Sequence, residues 1–384
     1  MERTSVEEIM DSNFLKIGAE ERVSKLFGLL SSAKKHHAVV FDSNGEYVGI
    51  TSTREMLRRQ ADFSQMKVRS ITDENRPRLT RDMSLMKAAE LMYVSDSRIL
   101  PVIEENKVFG VVSANAIIKQ AAERSPIASK RARDIASKNP VVLKQTESIG
   151  KAITLMRDKN IKRVLVSDKK GNIVGILSLQ ELIEKHLVHA TSERLPFVSG
   201  ARGHSSERAT ALKMPISSEM SSFFITVKPD QRVGALLSDI EGGRAIVLVE
   251  KGKAVGIITR RDLLEAIVKT GAVERNIQVA NVPALDEIDK AKVDSTINAS
   301  YDRVKKTLGM PYFLLVHFKQ HKEAGARVKH SVHIRASAPG MNFKAEATSW
   351  NVITSLQDAL SEIEREIRKA IGKKRKSFRK ARAK

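Results

Sequence analysis

The chain has 384 residues, 41% of them hydrophobic and 29% charged, which is typical of a folded globular protein with room for roughly two to four domains. It contains no cysteine and has a net charge of +22, which excludes disulfides and thiolate metal sites and predicts a polyanionic partner. It also lacks an apolar run of about 18 residues and an apolar leader, so we expect a cytoplasmic protein with neither a membrane helix nor a membrane partner.

One structural unit recurs along the first 270 residues. Each copy reads as strand, helix, strand, turn, strand and helix, and its last strand ends in a motif that contains a glycine. The motif is YVGITSTREML at 47–57, VFGVVSANAII at 108–118, IVGILSLQELI at 173–183 and AVGIITRRDLL at 254–264. We predict copies over 6–60, 66–121, 131–187 and 214–270, with a mobile linker over 188–213, which is longer and more polar than a connector needs to be.

This pattern resembles the cystathionine-beta-synthase (CBS) domain, over roughly residues 5–270. Domains of that family pair into modules. The resemblance therefore implies that the first and second copies form one module and that the third and fourth form another. It also leaves open a self-association through these modules.

The CBS family holds the ribose and phosphate of an adenine nucleotide with a Thr or Ser that is followed three residues later by Asp. Only the fourth copy has the full pair, Thr259 and Asp262, with Arg260 and Arg261 between them. The other copies have Ser52 with Glu55, Ser113 with Ala116 and Ser178 with Glu181. The same spacing also makes an ordinary helix capping box. No cofactor is required on this interpretation, and an adenine nucleotide at the fourth copy stays an open alternative.

From about residue 275 the pattern changes to strand, helix, three strands and helix. The first helix is expected to end at Gly309, strands to cover 312–319 and 327–338, and a turn to lie at Pro339-Gly340. The last helix is expected to take Ser349 as its N-cap and Trp350 as the first member of its apolar stripe. We predict an α+β chain, in which two tandem CBS-pair modules precede a β-α-β-β-β-α domain over 275–372 and a basic tail over 373–384.

Each helix of this C-terminal domain has one apolar stripe, so both are expected to pack on the same sheet face and to leave the other face to solvent. The strand 327–338 alternates strictly, and Arg327, Lys329, His333 and Arg335 share its outward side. Residues 281–384 contain 22 Lys and Arg against 11 Asp and Glu. Like charges side by side on a strand cost stability, so this face predicts a polyanion partner.

The stretch HSVHIRASAPGMNFKAEATSWNVITSLQDALSEIEREIRKAIGKKRK resembles the ribosome hibernation-promoting factor, or ribosome-associated inhibitor, domain, in its archaeal type. In that family the domain lies in the messenger and transfer RNA channel of the small ribosomal subunit and stops translation. The resemblance implies contacts between ribosomal RNA and the basic side chains of the sheet face and of the helix end, namely Arg327, Lys329, His333, Arg335, Lys344, Lys373, Lys374, Arg375, Lys376, Arg379 and Lys380.

Our first hypothesis is a ribosome hibernation factor of the stress response, whose CBS modules contact further ribosomal RNA or protein on either subunit. The second is a CBS regulator that senses adenine nucleotides and controls a protein or RNA target. RNA binding away from the ribosome also stays open. The sequence contains no GxxxxGK[ST], HExxH or GxSxG motif, so we expect neither an enzyme nor a metal site.

Overall fold

A computed structural model of the chain describes residues 4–33, 35–52, 66–124, 126–159, 161–179, 182, 212–241, 244–270, 275–322 and 328–382. The linker predicted over 188–213 lies outside these ranges except for its last two residues, and so do Glu55, Glu181 and Arg327. The chain divides into two compact units, Met1–Ala89 with Ile99–Thr270 and Glu90–Arg98 with Gly271–Lys384.

Three of the four repeats share one strand arrangement, and the second repeat is a variant of it. In the first, third and fourth repeats a short strand pairs in parallel with the next one, which then forms an antiparallel hairpin. In the second repeat a hairpin has a single parallel bridge, Leu79 to Val102, in place of the short strand. The strands are β1 Lys16–Gly18, β2 His37–Phe41, β3 Tyr47–Ser52, β4 Ile99–Glu104, β5 Lys107–Ser113, β6 Ser137–Lys138, β7 Val142–Lys144, β8 Arg163–Ser167, β9 Ile173–Ser178, β10 Phe224–Val227, β11 Ala245–Glu250 and β12 Lys253–Ile258.

Helices precede and follow these hairpins, as the helical periodicity predicts. Their apolar side chains pack on the sheets, as Val23, Leu26 and Leu30 do in the first repeat. The α-helices are α1 Val23–Ser32, α2 Leu85–Ser95, α3 Ala114–Arg124, α4 Ala132–Ile135, α5 Ile149–Asp158, α6 Leu237–Glu241 and α7 Arg260–Val268.

The repeats are joined in pairs by a reciprocal exchange of backbone segments. The segment before the first strand of each repeat crosses to the last strand of its partner: Asp73 pairs with Ile50, and Asp11 pairs with Val111. In the second pair, Ser221 bridges Ile176, and β6 adds to the edge of β12. The first repeat therefore pairs with the second and the third with the fourth, and the prediction of two CBS-pair modules is confirmed.

The glycine of each repeat motif lies beneath one of these crossing segments. A Cβ atom at Gly49 would lie only 2.6 Å from the Thr72 side chain and 2.7 Å from the Asp73 carbonyl oxygen. A Cβ at Gly175 would lie 2.6 Å from the sulfur of Met220. The partner repeat comes so close that this position of the motif has no room for a side chain. The sequence of a single repeat does not reveal this contact.

The C-terminal domain has the predicted β-α-β-β-β-α order. Its sheet has the order β13-β14-β15-β16, with β13 parallel to β14 and the other pairs antiparallel. Helix α8 is capped by Asp286, whose carboxylate accepts a hydrogen bond from the Asp289 N–H at 2.7 Å, and it ends at the left-handed Gly309. The elements are β13 Asn276–Ala280, α8 Glu287–Leu308, β14 Phe313–Lys322, β15 Val328–Ala338, β16 Met341–Ser349 and α9 Val352–Arg382.

Both helices of this domain pack on one face of the sheet, as predicted. The buried core combines inward side chains of β14 and β15, such as Val316 and Ile334, with Ile297 of α8 and Leu356 of α9. Tyr301 and Tyr312 stack with ring centroids 4.5 Å apart, and each hydroxyl donates a hydrogen bond to the backbone carbonyl oxygen of the other.

Three details of α9 differ from the prediction. Asn351, not Ser349, caps the helix, because its side-chain oxygen accepts hydrogen bonds from the N–H groups of Ile353 and Thr354 at 2.9 and 3.0 Å. Trp350 precedes the cap and is 52% exposed, so it does not belong to the apolar stripe. The helix also continues to Arg382, so most of the predicted basic tail is helical.

Candidate nucleic-acid interface

The strand register of the C-terminal sheet sets the outer-face side chains in rows. Leu315, Arg335 and Lys344 lie opposite one another across three strands. The next rows are His317, His333 and Glu346, then Lys319, Ser331 and Thr348, and then His321 and Lys329. The pairing of His330 with Ser349 brings Trp350 beside Lys329 at the end of the last row. Side chains from three strands thus form one surface, which we call the cationic face.

The predicted RNA-binding residues of the sheet lie on this cationic face. Lys329, His333 and Arg335 are partly exposed and Lys344 is exposed. Arg335 and Lys344 are direct cross-strand neighbours. Two like charges at such a position destabilise a sheet by a few tenths of a kcal/mol to about 1 kcal/mol. An anion bound at this row would contact both cations and offset their mutual repulsion.

The outer face is not open along its whole length, which corrects the expectation drawn from the two apolar stripes. Phe313 is 1% exposed and Leu315 is 9% exposed, although both point away from the helices. Asn276, the neighbour of Phe313 on β13, is 1% exposed. The exposed part of the face therefore begins at the row of Arg335 and Lys344 and extends toward Trp350.

The histidines of the cationic face are held by neighbouring side chains. The His317 Nε2 atom is 2.8 Å from the amide nitrogen of Asn281, and its ring lies 6.3 Å from that of His333. The His321 Nε2 atom is 3.0 Å from the Ser331 hydroxyl. His317 and His321 therefore each use a ring nitrogen for a contact within the protein, which reduces the number of hydrogen bonds that they can make to a ligand.

His333 lies where burial and neighbouring charges shift the pKa of its ring. Its Nδ1 atom lies 3.2 Å from a carboxylate oxygen of Glu346. Burial lowers the pKa of the ring below its ordinary value, the Glu346 carboxylate acts to raise it, and the nearby Lys319 and His321 lower it further. The ring is thus poised to gain a proton when a second anion approaches.

Sequence reasoning missed three members of this cationic face. Lys319 comes from β14, and the alternation of β14 could have placed it there, because it shares the outward side with His317 and His321. Glu346 is the acid of the face. Trp350 was assigned to the core, because the apolar spacing of α9 was extended one step beyond its cap.

The basic residues at the chain end lie on the last turns of α9. Lys373, Lys374, Arg375, Lys376, Arg379 and Lys380 all fall within the helical backbone, whereas the described side chains of this helix end at Gly372. The core contact ends near Ile371, and at 1.5 Å per residue the helix extends about 16 Å further. The backbone of these basic residues is therefore helical and not extended.

The predicted nucleotide pair of the fourth repeat forms a capping box. One Asp262 oxygen accepts hydrogen bonds from the Thr259 N–H and hydroxyl groups at 2.8 and 2.6 Å. The other accepts one from the Ser137 hydroxyl at 2.5 Å, and Asp262 is buried. Arg260 donates a hydrogen bond to the Asn115 side-chain oxygen at 3.2 Å, while Arg261 is partly exposed. Asp262 thus already accepts three hydrogen bonds from groups of the protein, and a ribose would compete with these donors.

Two further classes of site can be assessed within the ranges that the structure covers. Among these residues, no group of three or more His, Cys, Asp or Glu side chains could hold a metal ion. No helix of the described chain is both long enough and apolar enough to cross a membrane.

Comparison with protein families matches both halves of the chain. The model described as CBS domain matches residues 6–62, 68–123, 132–187 and 216–269. The model described as hibernation factor Hib, C-terminal domain, matches residues 276–383.

Individual proteins are similar to this chain over different shares of its length. The uncharacterized protein MJ1404 of Methanocaldococcus jannaschii is 25% identical, over 94% of this chain and 90% of its own. The uncharacterized protein MJ1426 of the same organism is 25% identical, over 34% of this chain and 88% of its own. A solved structure, protein MJ1225 of the same organism and a putative archaeal homolog of g-AMPK, has a TM-score of 0.55 and 15% identity over 68% of this chain and 99% of its own. At that identity it supports the fold alone.

Proposed function

Because the chain belongs to the CBS domain family and ends in a hibernation factor Hib C-terminal domain, we propose that it is a ribosome hibernation factor that inhibits translation. The C-terminal domain binds ribosomal RNA in the messenger and transfer RNA channel of the small subunit. The CBS modules make further ribosomal contacts. The observation that carries this proposal is the cationic face, which lies on the sheet of the domain that the Hib model matches.

The cationic face can bind RNA through its phosphates. Lys319, Lys329, Arg335 and Lys344 supply charge on three adjacent strands. Each phosphate that such a side chain neutralises releases roughly one condensed counterion, so binding is strong at low salt and weakens steeply as salt is added. Because the helices cover the other side of the sheet, the strands hold the backbone of these residues in place, so no loop has to be ordered on binding.

The CBS half supports this function as a preformed surface. Backbone segments are exchanged within each pair, and Arg260 of the fourth repeat contacts Asn115 of the second. Modules whose backbone segments are joined in this way can add contacts to a ribosome. Neither CBS nor Hib domains are catalytic domains, and the proposal requires no reaction.

Co-sedimentation with ribosomes tests this function. The variant carries Lys329→Glu, Arg335→Glu and Lys344→Glu, and its matched control carries Lys290→Glu, Lys292→Glu and Lys306→Glu, which make the same charge change at exposed positions on α8. We expect the first variant to lose ribosome binding and the control to retain it. The wild-type chain should dissociate as salt rises from about 50 to about 200 mM.

Two results would contradict the proposal. Ribosome binding that is unchanged in the first variant would exclude the cationic face as the contact surface. If both variants lost ribosome binding equally, the ribosome would be attracted by the net positive charge of the chain and not by the cationic face in particular.

A second candidate function is adenine-nucleotide sensing by the fourth repeat. The observation that favours it is the Thr259 and Asp262 pair, which leads into helix α7 beside Arg260 and Arg261. Calorimetry with ATP, ADP and AMP tests it, with Asp262→Ala as the variant. Tight nucleotide binding that is lost in this variant, in a chain that does not associate with ribosomes, would favour the sensor over the hibernation factor.

A further inference from the structure

Trp350 is the only tryptophan of the chain, and it lies at the edge of the cationic face. Its side chain is 52% exposed, whereas Tyr301, Tyr312, Phe313 and Phe318 of the same domain are buried. The Lys329 ammonium lies over the indole ring, 5.5 Å from its centroid. A large aromatic ring in this position contributes little to the core, so its role has to be sought at the surface.

The backbone on both sides of Trp350 is fixed. Ser349 ends β16 and pairs with His330, and its hydroxyl accepts a hydrogen bond from the Asn351 N–H at 3.3 Å. Asn351 in turn caps α9. The indole is therefore presented from a short, hydrogen-bonded connection between a strand and a helix. A ring held in this way loses little conformational freedom when a ligand binds it.

The surroundings of the indole indicate the chemistry of the ligand. Lys329 and the cations of the following rows attract phosphate, while the ring offers a flat apolar surface. A single-stranded nucleic acid combines both features, because its unpaired bases expose their faces next to the phosphate chain. A duplex does not, since its bases are stacked on one another. A protein partner would need an acidic side chain beside an exposed aromatic one, whereas every unpaired nucleotide joins a base to a phosphate.

We propose that Trp350 and Lys329 form a stacking site for an unpaired RNA base, with Lys329 binding the phosphate next to that base. This inference rests on the proposed function and adds to it the class of RNA element that the domain binds, an unpaired nucleotide rather than a helix. Because aromatic residues make up only 4% of the chain, one such site would act together with phosphate contacts and not in place of them.

The first test uses the fluorescence of the single tryptophan in the wild-type, full-length chain. Oligoadenylate RNA of 12 nucleotides, an RNA duplex of 12 base pairs and inorganic polyphosphate are added at about 50 mM salt, where phosphate contacts are strong. We expect the oligoadenylate to quench the emission of Trp350, because a stacked base contacts the ring. Polyphosphate and the duplex should bind with little quenching. Equal quenching by polyphosphate, or none by the oligoadenylate, would overturn the proposal.

The second test measures affinity with a labelled oligoadenylate. Removal of a stacking side chain weakens binding of a single strand by about 5- to 150-fold, so Trp350→Ala should show a loss in that range. Trp350→Phe should recover most of the affinity, and polyphosphate binding should not change in either variant. If Trp350→Ala binds the oligoadenylate as tightly as the wild-type chain does, the stacking site is wrong.

Phe223 provides a matched control. It is 54% exposed, with the Arg244 guanidinium 5.2 Å from its ring centroid, in the fourth CBS repeat. Phe223→Ala therefore removes an exposed aromatic ring next to a cation from outside the C-terminal domain. We expect it to bind oligoadenylate like the wild-type chain. An equal loss in both alanine variants would overturn the assignment of Trp350 as a specific site.

The outcomes also separate this inference from the function on which it rests. If Trp350→Ala leaves oligoadenylate binding intact while the Glu variants at Lys329, Arg335 and Lys344 lose the ribosome, stacking fails and the hibernation function stands. If the same Glu variants keep the ribosome while oligoadenylate quenches Trp350, the base site stands and the ribosomal function of the face fails.

Discussion

On the outer face of the C-terminal sheet, neighbours from other strands decide what each side chain contributes. Arg335 and Lys344 lie side by side as like charges, an arrangement that a bound anion would stabilise. His333 shares its surroundings with Glu346, Lys319 and His321, so its charge depends on the pH and on the ligand. The alternation of β15 indicates which residues point outward, but the strength of each interaction depends on β14 and β16.

The pH dependence of RNA binding should report on His333. Burial lowers the pKa of the free ring below 6.5, so the imidazole is largely neutral at pH 7, and a bound phosphate favours the protonated form. Binding therefore takes up a proton, and affinity for oligoadenylate should rise as the pH is lowered from about 7.5 to about 5.5. The gain is about tenfold for each unit by which RNA raises the pKa.

Affinities measured at constant ionic strength in wild-type and His333→Gln chains check this prediction. The variant should lose part of the pH dependence but keep its salt dependence. An unchanged pH profile in His333→Gln would assign the effect to other groups.

Glu364 should contribute to stability through its charge. It is buried between the two helices and accepts hydrogen bonds from the Ser300 hydroxyl and from Arg303, each at 2.8 Å. Burial acts to raise its pKa, but the hydrogen bonds and charge of Arg303 and the Ser300 hydroxyl outweigh it, and the pKa lies below the ordinary value. A lowered pKa means that this stability is present above about pH 4.3, the unfolded value, and is lost as the pH falls through the folded value.

We therefore expect Glu364→Gln to lower the free energy of unfolding at pH 7 by about 1–3 kcal/mol, and by less at pH 3. Urea unfolding at both pH values measures this difference. Glu362→Gln, at a more exposed carboxylate that pairs with Arg365 on the surface, is the matched control and should change stability by less than about 0.5 kcal/mol. The same loss at both pH values would contradict a role for the charge.

At the scale of elements, the repeat motif has a structural use that its own sequence does not reveal. The motif glycine of each repeat admits a segment of the partner repeat, and the closest approach is at Gly49, beneath Thr72 and Asp73. The third residue of the motif is thus part of an interface between two repeats. The same is true of Asp262, which caps its own helix and accepts a hydrogen bond from Ser137 of the third repeat.

Gly49→Ala should destabilise the first CBS pair. The new methyl group would meet backbone atoms of Asp73 at 2.7–2.9 Å, and such overpacking costs about 1–3 kcal/mol. Gly28→Ala is the matched control, because nothing lies within 4 Å of its new methyl group and Gly28 is inside α1. Here alanine should stabilise the helix by about 0.5–1 kcal/mol. Thermal and urea unfolding distinguish the two directions, and a neutral Gly49→Ala would contradict the tight crossing.

At the scale of the whole molecule, the paired repeats imply that a single repeat does not fold alone. Asp73 and Ile50 exchange two backbone hydrogen bonds, as do Asp11 and Val111, so each sheet of the first pair is completed by the other repeat. We expect a fragment of residues 1–124 to unfold cooperatively in urea and a fragment of residues 1–62 to remain unfolded, as circular dichroism would show. A cooperative transition in the shorter fragment would contradict the exchange.

The sequence by itself determined the features that depend on neighbouring residues along the chain. The glycine motifs and hairpins predict four repeats, and the changes between periods of two and 3.6 predict the β-α-β-β-β-α order. The strict alternation of residues 327–338 predicts a basic outer side. These features follow from local geometry, so a single sequence is enough to predict them.

Only the tertiary structure decided which of these residues are accessible and which are already bound. It buries Phe313 and Leu315 on the outer face, exposes Trp350 beside Lys329, and directs both oxygens of Asp262 to donors within the protein. Each of these outcomes depends on residues that are distant in sequence and brought together by packing, and periodicity carries no information about such neighbours.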